Sequence, residues 1–210
     1  CALPILDGWR LDVPQYDDKT YGGMEAMKLM RAHVKGIDSD KVLIEECGPD
    51  DEVFGGAMDA KGDHLHIMAC VRRLLGGKAD YWNPEGMEDG ESGLLRHISQ
   101  RLHFAPWQAS ACNPVMLSNH DNTRIAYNLG EDQSAIERAI AIQMTMVGTP
   151  YVYYGDEIGM TQQVEGNRAA MDCFNWNRAE WNYATLHTYK SFFVLRKAYP
   201  EVFRDGAFIP

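Results

Sequence analysis

GWRLDVP (Gly8–Pro14) and VLIEECG (Val42–Gly48) are short apolar runs that each end in acid, and MEAMKLMRAHVKG (Met24–Gly36) lies between them. That middle segment sets Met24, Met27, Met30 and Val34 on one helical stripe before a glycine stop. Strand, helix, strand in this order is the unit of a parallel sheet with a helical crossover. The pattern predicts strands over Ile5–Val13 and Lys41–Glu46, and the alternation continues downstream. A weak strand is expected near Gly56–Asp59, a helix over His64–Leu75 closing at Gly76–Gly77, a further helix near Ser92–His103 and a strand over Pro114–Ser118. Ser134 is placed to cap a helix bearing Ile136, Ile140, Met144 and Val147, which ends at Gly148 and feeds a strand over Pro150–Tyr154. Asn177, with Glu180 three residues on, reads as the capping box of a long amphipathic helix that stops before Pro200. With no repeat, low-complexity tract or linker in view, residues 1–210 read as one α/β domain.

Composition narrows the function. The chain has 210 residues, 45% hydrophobic and 24% charged, which suits one ordinary core and is too apolar for disorder. A formal charge of −10 disfavours nucleic acid as a partner, because that affinity comes from Lys and Arg displacing counterions from phosphates. Neutral substrates meet no such objection. No apolar run approaches the roughly 18 to 20 residues of a membrane span, and the first residues show no charged region followed by an apolar one. Five scattered cysteines without a CxxC pair disfavour a zinc site or a disulfide framework, which tilts the expected compartment towards the reducing cytoplasm.

The acids carry the chemistry. Period-two geometry places Arg10 and Asp12 on one face of their strand, and a guanidinium beside a carboxylate keeps it ionised, which suits a nucleophile and spoils an acid. In VLIEECG, Glu45 and Glu46 compete for the part of proton donor. If Val42 and Ile44 share the inward face, Glu46 continues it and Glu45 faces the surrounding helices, so Glu46 is favoured. A third motif, VMLSNHDNTR (Val115–Arg124), sets His120 and Asp121 directly after an apolar strand, where the mouth of a barrel meets its ligand. Asp121 would hold sugar hydroxyls and steady positive charge at the anomeric carbon, and His120 would donate a hydrogen bond to a hydroxyl. Carboxylates at successive strand ends are what breaking a glycosidic bond requires: one protonates the leaving oxygen while another attacks or stabilises the sugar cation.

These three segments resemble the second, third and fourth conserved regions of the alpha-amylase family, glycoside hydrolases on a (β/α)8 TIM barrel. GTPYVYYGDEIGM (Gly148–Met160) is similar to that family's segment around the eighth strand. The resemblance implies Asp12 as nucleophile, Glu46 as general acid/base and Asp121 as transition-state stabiliser, with Arg10 and His120 as substrate-binding partners. It implies a retaining hydrolysis of α-glucans or malto-oligosaccharides, with Asp12 and Glu46 carboxyls about 5–5.5 Å apart. GWRLDVP together with LRKAYPEVFRDGAF (Leu195–Phe208) is most similar to the cyclomaltodextrinase and neopullulanase branch. A transglycosylase of the same family, or a non-catalytic carbohydrate-binding scaffold on the same barrel, are the alternatives. Loss of the carboxylates would mark the scaffold, and all three are present.

Departures from the family pattern bear on substrate preference. Cys47 and Gly48 replace the aliphatic and aromatic residues that usually follow the acid, and Ser118 stands where an acid often precedes the Asn-His-Asp triplet. The family's first conserved region, an Asp-x-x-x-Asn-His run, is absent from the chain. By family order the chain is expected to cover strands four to eight, without three N-terminal strands and a C-terminal β-sandwich. Five strands cannot close such a barrel, and open sheet edges predict self-association. No metal ligand set is read from the sequence and the chemistry requires no cofactor. The resemblance leaves structural calcium open, although no acidic cluster has calcium-loop spacing. Trp82, Trp107, Trp176 and Tyr154 could stack on glucose rings, but aromatics in a barrel protein are more often core or interface. Asp156 and Glu157 read as structural hydrogen-bond partners.

Overall fold

The computed structural model describes residues 6–12, 23–46, 56–61, 64–78, 93–96, 98–99, 107–163 and 169–206, which fall into two compact units. Residues 1–63 and 100–114 form the first, and residues 64–99 and 115–210 the second.

In the first unit, strands β1 (Gly8–Leu11), β2 (Val42–Glu45) and β3 (Ala60–Lys61) pair in parallel in that order. Helix α1 (Gly23–Ile37) makes the crossover from β1 to β2 and buries Met27 and Val34 against Leu43, Ala57 and Met58, while Met30 stays 42% exposed. Gly8 is where β1 and β2 come closest: a Cβ there would lie 2.1 Å from the Val42 carbonyl oxygen, so no larger residue fits without moving a strand. The weak strand expected near Gly56–Asp59 forms just past that span, at Ala60–Lys61, and Asp59 is used as a clamp. Its carboxylate accepts from Arg31 Nη2 (2.6 Å) and the Leu43 amide (2.9 Å) and meets Lys35 at 3.2 Å, tying α1 to β2. Burial alone would raise the proton affinity of that carboxyl, but the Leu43 amide, Arg31 and Lys35 outweigh it and hold its pKa below the ordinary value. A short helix, α3 (Trp107–Cys112), packs beside β3, and Asn113 accepts the Lys61 amide at 2.9 Å. Ile5 and Val13, the ends of the first predicted strand, lie outside the described residues, as do Cys47, Gly48 and Trp82.

In the second unit, helix α2 (His64–Leu74) closes with a turn at Leu75–Gly76, one residue ahead of the expected close at Gly76–Gly77, and residues 93–96 and 98–99 are helical. Strand β4 (Pro114–Met116) pairs with β5 (Thr149–Tyr151), joined through α4 (Ile125–Asn128) and α5 (Gln133–Thr145). Helix α5 buries Ile136, Ile140 and Met144, but its cap is Asp132, whose side chain accepts the Ala135 amide; Ser134 sits inside the first turn. Buried Gln143 donates to Val115 O (3.0 Å) and Tyr151 O (2.9 Å) and accepts from Tyr189 Oη (3.0 Å), so one amide joins both strands to α6 (Tyr183–Ala198). The capping box expected at Asn177 serves a different element. Asn177 caps the single 3-10 turn Arg178–Glu180, and Asn182 caps α6 through the Ala184 and Thr185 amides. Helix α6 ends at Ala198 and Pro200 opens α7 (Pro200–Asp205), where its missing N–H costs nothing. Among the described residues no helix is long and apolar enough to cross a membrane.

Candidate active site

The parallel register sets Arg10 opposite Ile44 and Leu11 opposite Glu45, so the chain leaves β1 and β2 side by side at Asp12 and Glu46. The Glu46 amide donates to Leu11 O at 3.0 Å, continuing the ladder one step past β2. Alternation then divides the two glutamates. Leu43 and Glu45 are buried on one face with the core, and Glu46 turns the other way, towards Arg10. Arg10 holds two carboxylates at once: Nη1 lies 3.0 Å from Asp12 Oδ1, and Nη2 is ion-paired with Glu46 Oε1. The expected pairing with Asp12 alone is therefore half of the arrangement. The guanidinium sits between the two carboxyl groups. Their settings differ sharply, with Asp12 74% exposed and Glu46 only 6%.

The second unit carries His120 and Asp121 on the loop that follows β4. Asn119 builds the turn, its Oδ1 accepting both the Asp121 amide (3.0 Å) and Asn122 Nδ2 (2.8 Å). His120 Nε2 lies 3.2 Å from Asp121 Oδ2, and both side chains are partly exposed. Ser118, where family members often carry an acid, is buried and its hydroxyl accepts the Ile125 amide at 2.9 Å.

Two residues beneath this loop are not legible as functional in the sequence. Arg124 is fully buried: Nη1 donates to Tyr154 O (2.8 Å) and Asp156 (3.3 Å), Nη2 donates to Ala170 O (2.9 Å), and the guanidinium lies about 5 Å from the ring centres of Tyr153 and Tyr154. Arg72, in the last turn of α2, is buried as well and donates to Leu117 and Thr123. An arginine near the end of an amphipathic helix reads as solvated, and only burial reveals this one. Asp156 and Glu157 act as the structural partners the sequence suggests. Asp156 meets Arg124, Glu157 accepts the Gly155 amide at 2.8 Å, and Gly155 (φ 90°) and Gly159 (φ 69°) supply the left-handed turns on either side. Among the aromatic candidates, Tyr154 donates to Asp172 O (2.8 Å), and Trp176 is 81% exposed and fills no core.

Burial pushes the Asp156 carboxyl up to about 6, against the pull of Ser118, Arg124 and Arg72 and with the help of Glu157. A carboxyl whose pKa is raised on folding contributes stability that is fully present below its unfolded value of 3.8 and is lost as pH rises through about 6. A rise from 3.8 to about 6 corresponds to about 3 kcal/mol. Asp156→Asn should remove that slope, so denaturant unfolding at pH 4.5 and 7 should show the wild type losing stability with rising pH and the variant losing markedly less. An identical slope in both would contradict the assignment.

The alpha amylase catalytic-domain family model matches residues 93–202, just over half of the chain. The chain belongs to the alpha-amylase family. A maltogenic alpha-amylase of Bacillus acidopullulyticus is 26% identical over 210 residues, covering 98% of this chain and 33% of the relative. A cyclomaltodextrinase of Geobacillus thermopakistaniensis is 29% identical over 209 residues, covering 97% and 32%. The chain thus spans about a third of the length of the curated relatives it matches. Among solved structures, a debranching enzyme of Nostoc punctiforme superposes with a TM-score of 0.79 at 23% identity, over 96% of this chain and 42% of that one. A cyclic alpha-maltosyl-(1→6)-maltose hydrolase of Arthrobacter globiformis, in complex with maltose, gives 0.74 at 24%, over 95% and 42%. These alpha-amylase-family likenesses agree with the α/β architecture of both units.

Proposed function

We propose that this chain is the C-terminal five-strand part of an alpha-amylase-type catalytic barrel, and that the full-length protein hydrolyses α-glucans or malto-oligosaccharides with retention. The observation that carries this reading is Arg10, whose single guanidinium engages Asp12 and Glu46 from adjacent parallel strand ends. Arg10 brings the two carboxyl groups to one point, and it is their different exposure, 74% for Asp12 and 6% for Glu46, that divides nucleophile from acid.

Asp12, charged and oriented by Arg10, attacks the anomeric carbon as the glycosidic C–O bond breaks, and Glu46 gives its proton to the departing oxygen. The product of this step is a glycosyl ester on Asp12. Glu46, now a carboxylate, takes a proton from water as that water attacks the anomeric carbon and frees Asp12. Asp121 is assigned by the family motif to steady the positive charge on the sugar ring, and His120 to hold a hydroxyl. No step uses a metal or cofactor. Retention can be read directly: proton NMR of freshly cleaved malto-oligosaccharide should show the α-anomer first, with the β-anomer growing in by mutarotation. A β-anomer first would overturn the double-displacement assignment.

A further inference from the structure

We propose that Arg72 is a positioning residue that sets the geometry of the His120–Asp121 loop; the inference rests on the functional reading above. Arg72 has no exposed surface, and an ion taken out of water costs several kcal/mol unless it is held by hydrogen bonds. Those bonds reach both ends of the loop. Nη2 donates to Leu117 O (2.8 Å) and Thr123 O (2.5 Å), and Nη1 donates to Thr123 Oγ1 (3.1 Å). Leu117 and Thr123 bracket residues 118–122, the stretch that presents His120 and Asp121. Within that span the Asn119 side chain fixes the Asp121 amide, so the two ends and the middle are each anchored. The planar fork of a guanidinium can serve two carbonyls and a hydroxyl in fixed directions, whereas a lysine ammonium is a compact point charge on a flexible stem. A lysine at this position would keep the charge and lose the fixed spacing between Leu117 and Thr123.

The test uses the full-length protein that carries this chain. Arg72→Lys should lower kcat on malto-oligosaccharides by about 100-fold, the scale of a ~1 Å misplacement, at a temperature where the variant is fully folded. KM should change by less than about threefold, because the loss falls on the transition state. Met144→Ala, a cavity in the α5 core, supplies a control that lowers Tm while keeping kcat within about twofold of wild type. An Arg72→Lys kcat within about threefold of wild type, or an equal kcat loss in the control at matched Tm, would overturn the positioning role. A wild-type protein that turns over no α-glucan would instead bring down the functional reading, and this inference with it.

Discussion

Asp12→Ala in the full-length protein should lower kcat for malto-oligosaccharide hydrolysis by roughly 10,000-fold or more, since losing a nucleophile in a concerted catalytic group costs about as much as losing the whole group. The loss should not trace to misfolding. The Asp12 side chain is 74% exposed and its ion pair with Arg10 is a surface pair, worth about 1 kcal/mol or less to stability. What disappears is the atom proposed to form the glycosyl ester. Azide, small enough to occupy the space of the missing carboxylate, should then restore turnover by attacking the anomeric carbon from the side Asp12 used. The product would be a β-glucosyl azide, formed with net inversion. A variant that keeps more than about 1% of wild-type kcat would show that Asp12 is not the nucleophile.

Glu46→Gln is the second large effect. Glutamine keeps the size of the side chain and an oxygen for Arg10, but has no acidic proton to give. With natural glucans kcat/KM should fall by about a thousandfold, within the range of a lost general acid. α-Glucosyl fluoride supplies the contrast, because fluoride departs without a proton. Its cleavage to the glycosyl ester should slow by less than about tenfold. Glu45→Gln is the internal comparison. Glu45 is buried on the core face of β2, so its replacement should act on stability and leave both substrates at similar relative rates. Equal losses on glucan and fluoride for Glu46→Gln, or the fluoride-sparing pattern in Glu45→Gln, would move the acid elsewhere.

Strand-to-helix order was legible because it rests on local periodicity: the Met27–Val34 stripe of α1 and the Ile136–Met144 stripe of α5 both face a core. Caps were less legible, since Asp132, Ser134, Asn177 and Asn182 are all competent side chains and the choice among them depends on where the preceding loop enters. Alternation along β2 separates Glu45 from Glu46 once Leu43 is known to be buried, a period-two argument that needs only one face to be fixed. Three features lay beyond sequence reasoning for a shared reason. The double pairing of Arg10, the buried fork of Arg72 and the aromatic setting of Arg124 are contacts between residues from 2 to 51 positions apart, and a guanidinium carries no local sign of which it will make. In each case the sequence offers a cation, and its meaning comes from what surrounds it.

Asp12 is proposed to form a covalent bond to sugar. Incubating the full-length protein with a mechanism-based α-glucosyl inactivator and mapping the labelled peptide by mass spectrometry tests it most directly. One glucosyl adduct is expected, on the peptide containing Asp12 and located at that residue. An adduct at any other carboxylate, Glu46 and Asp121 included, would contradict it.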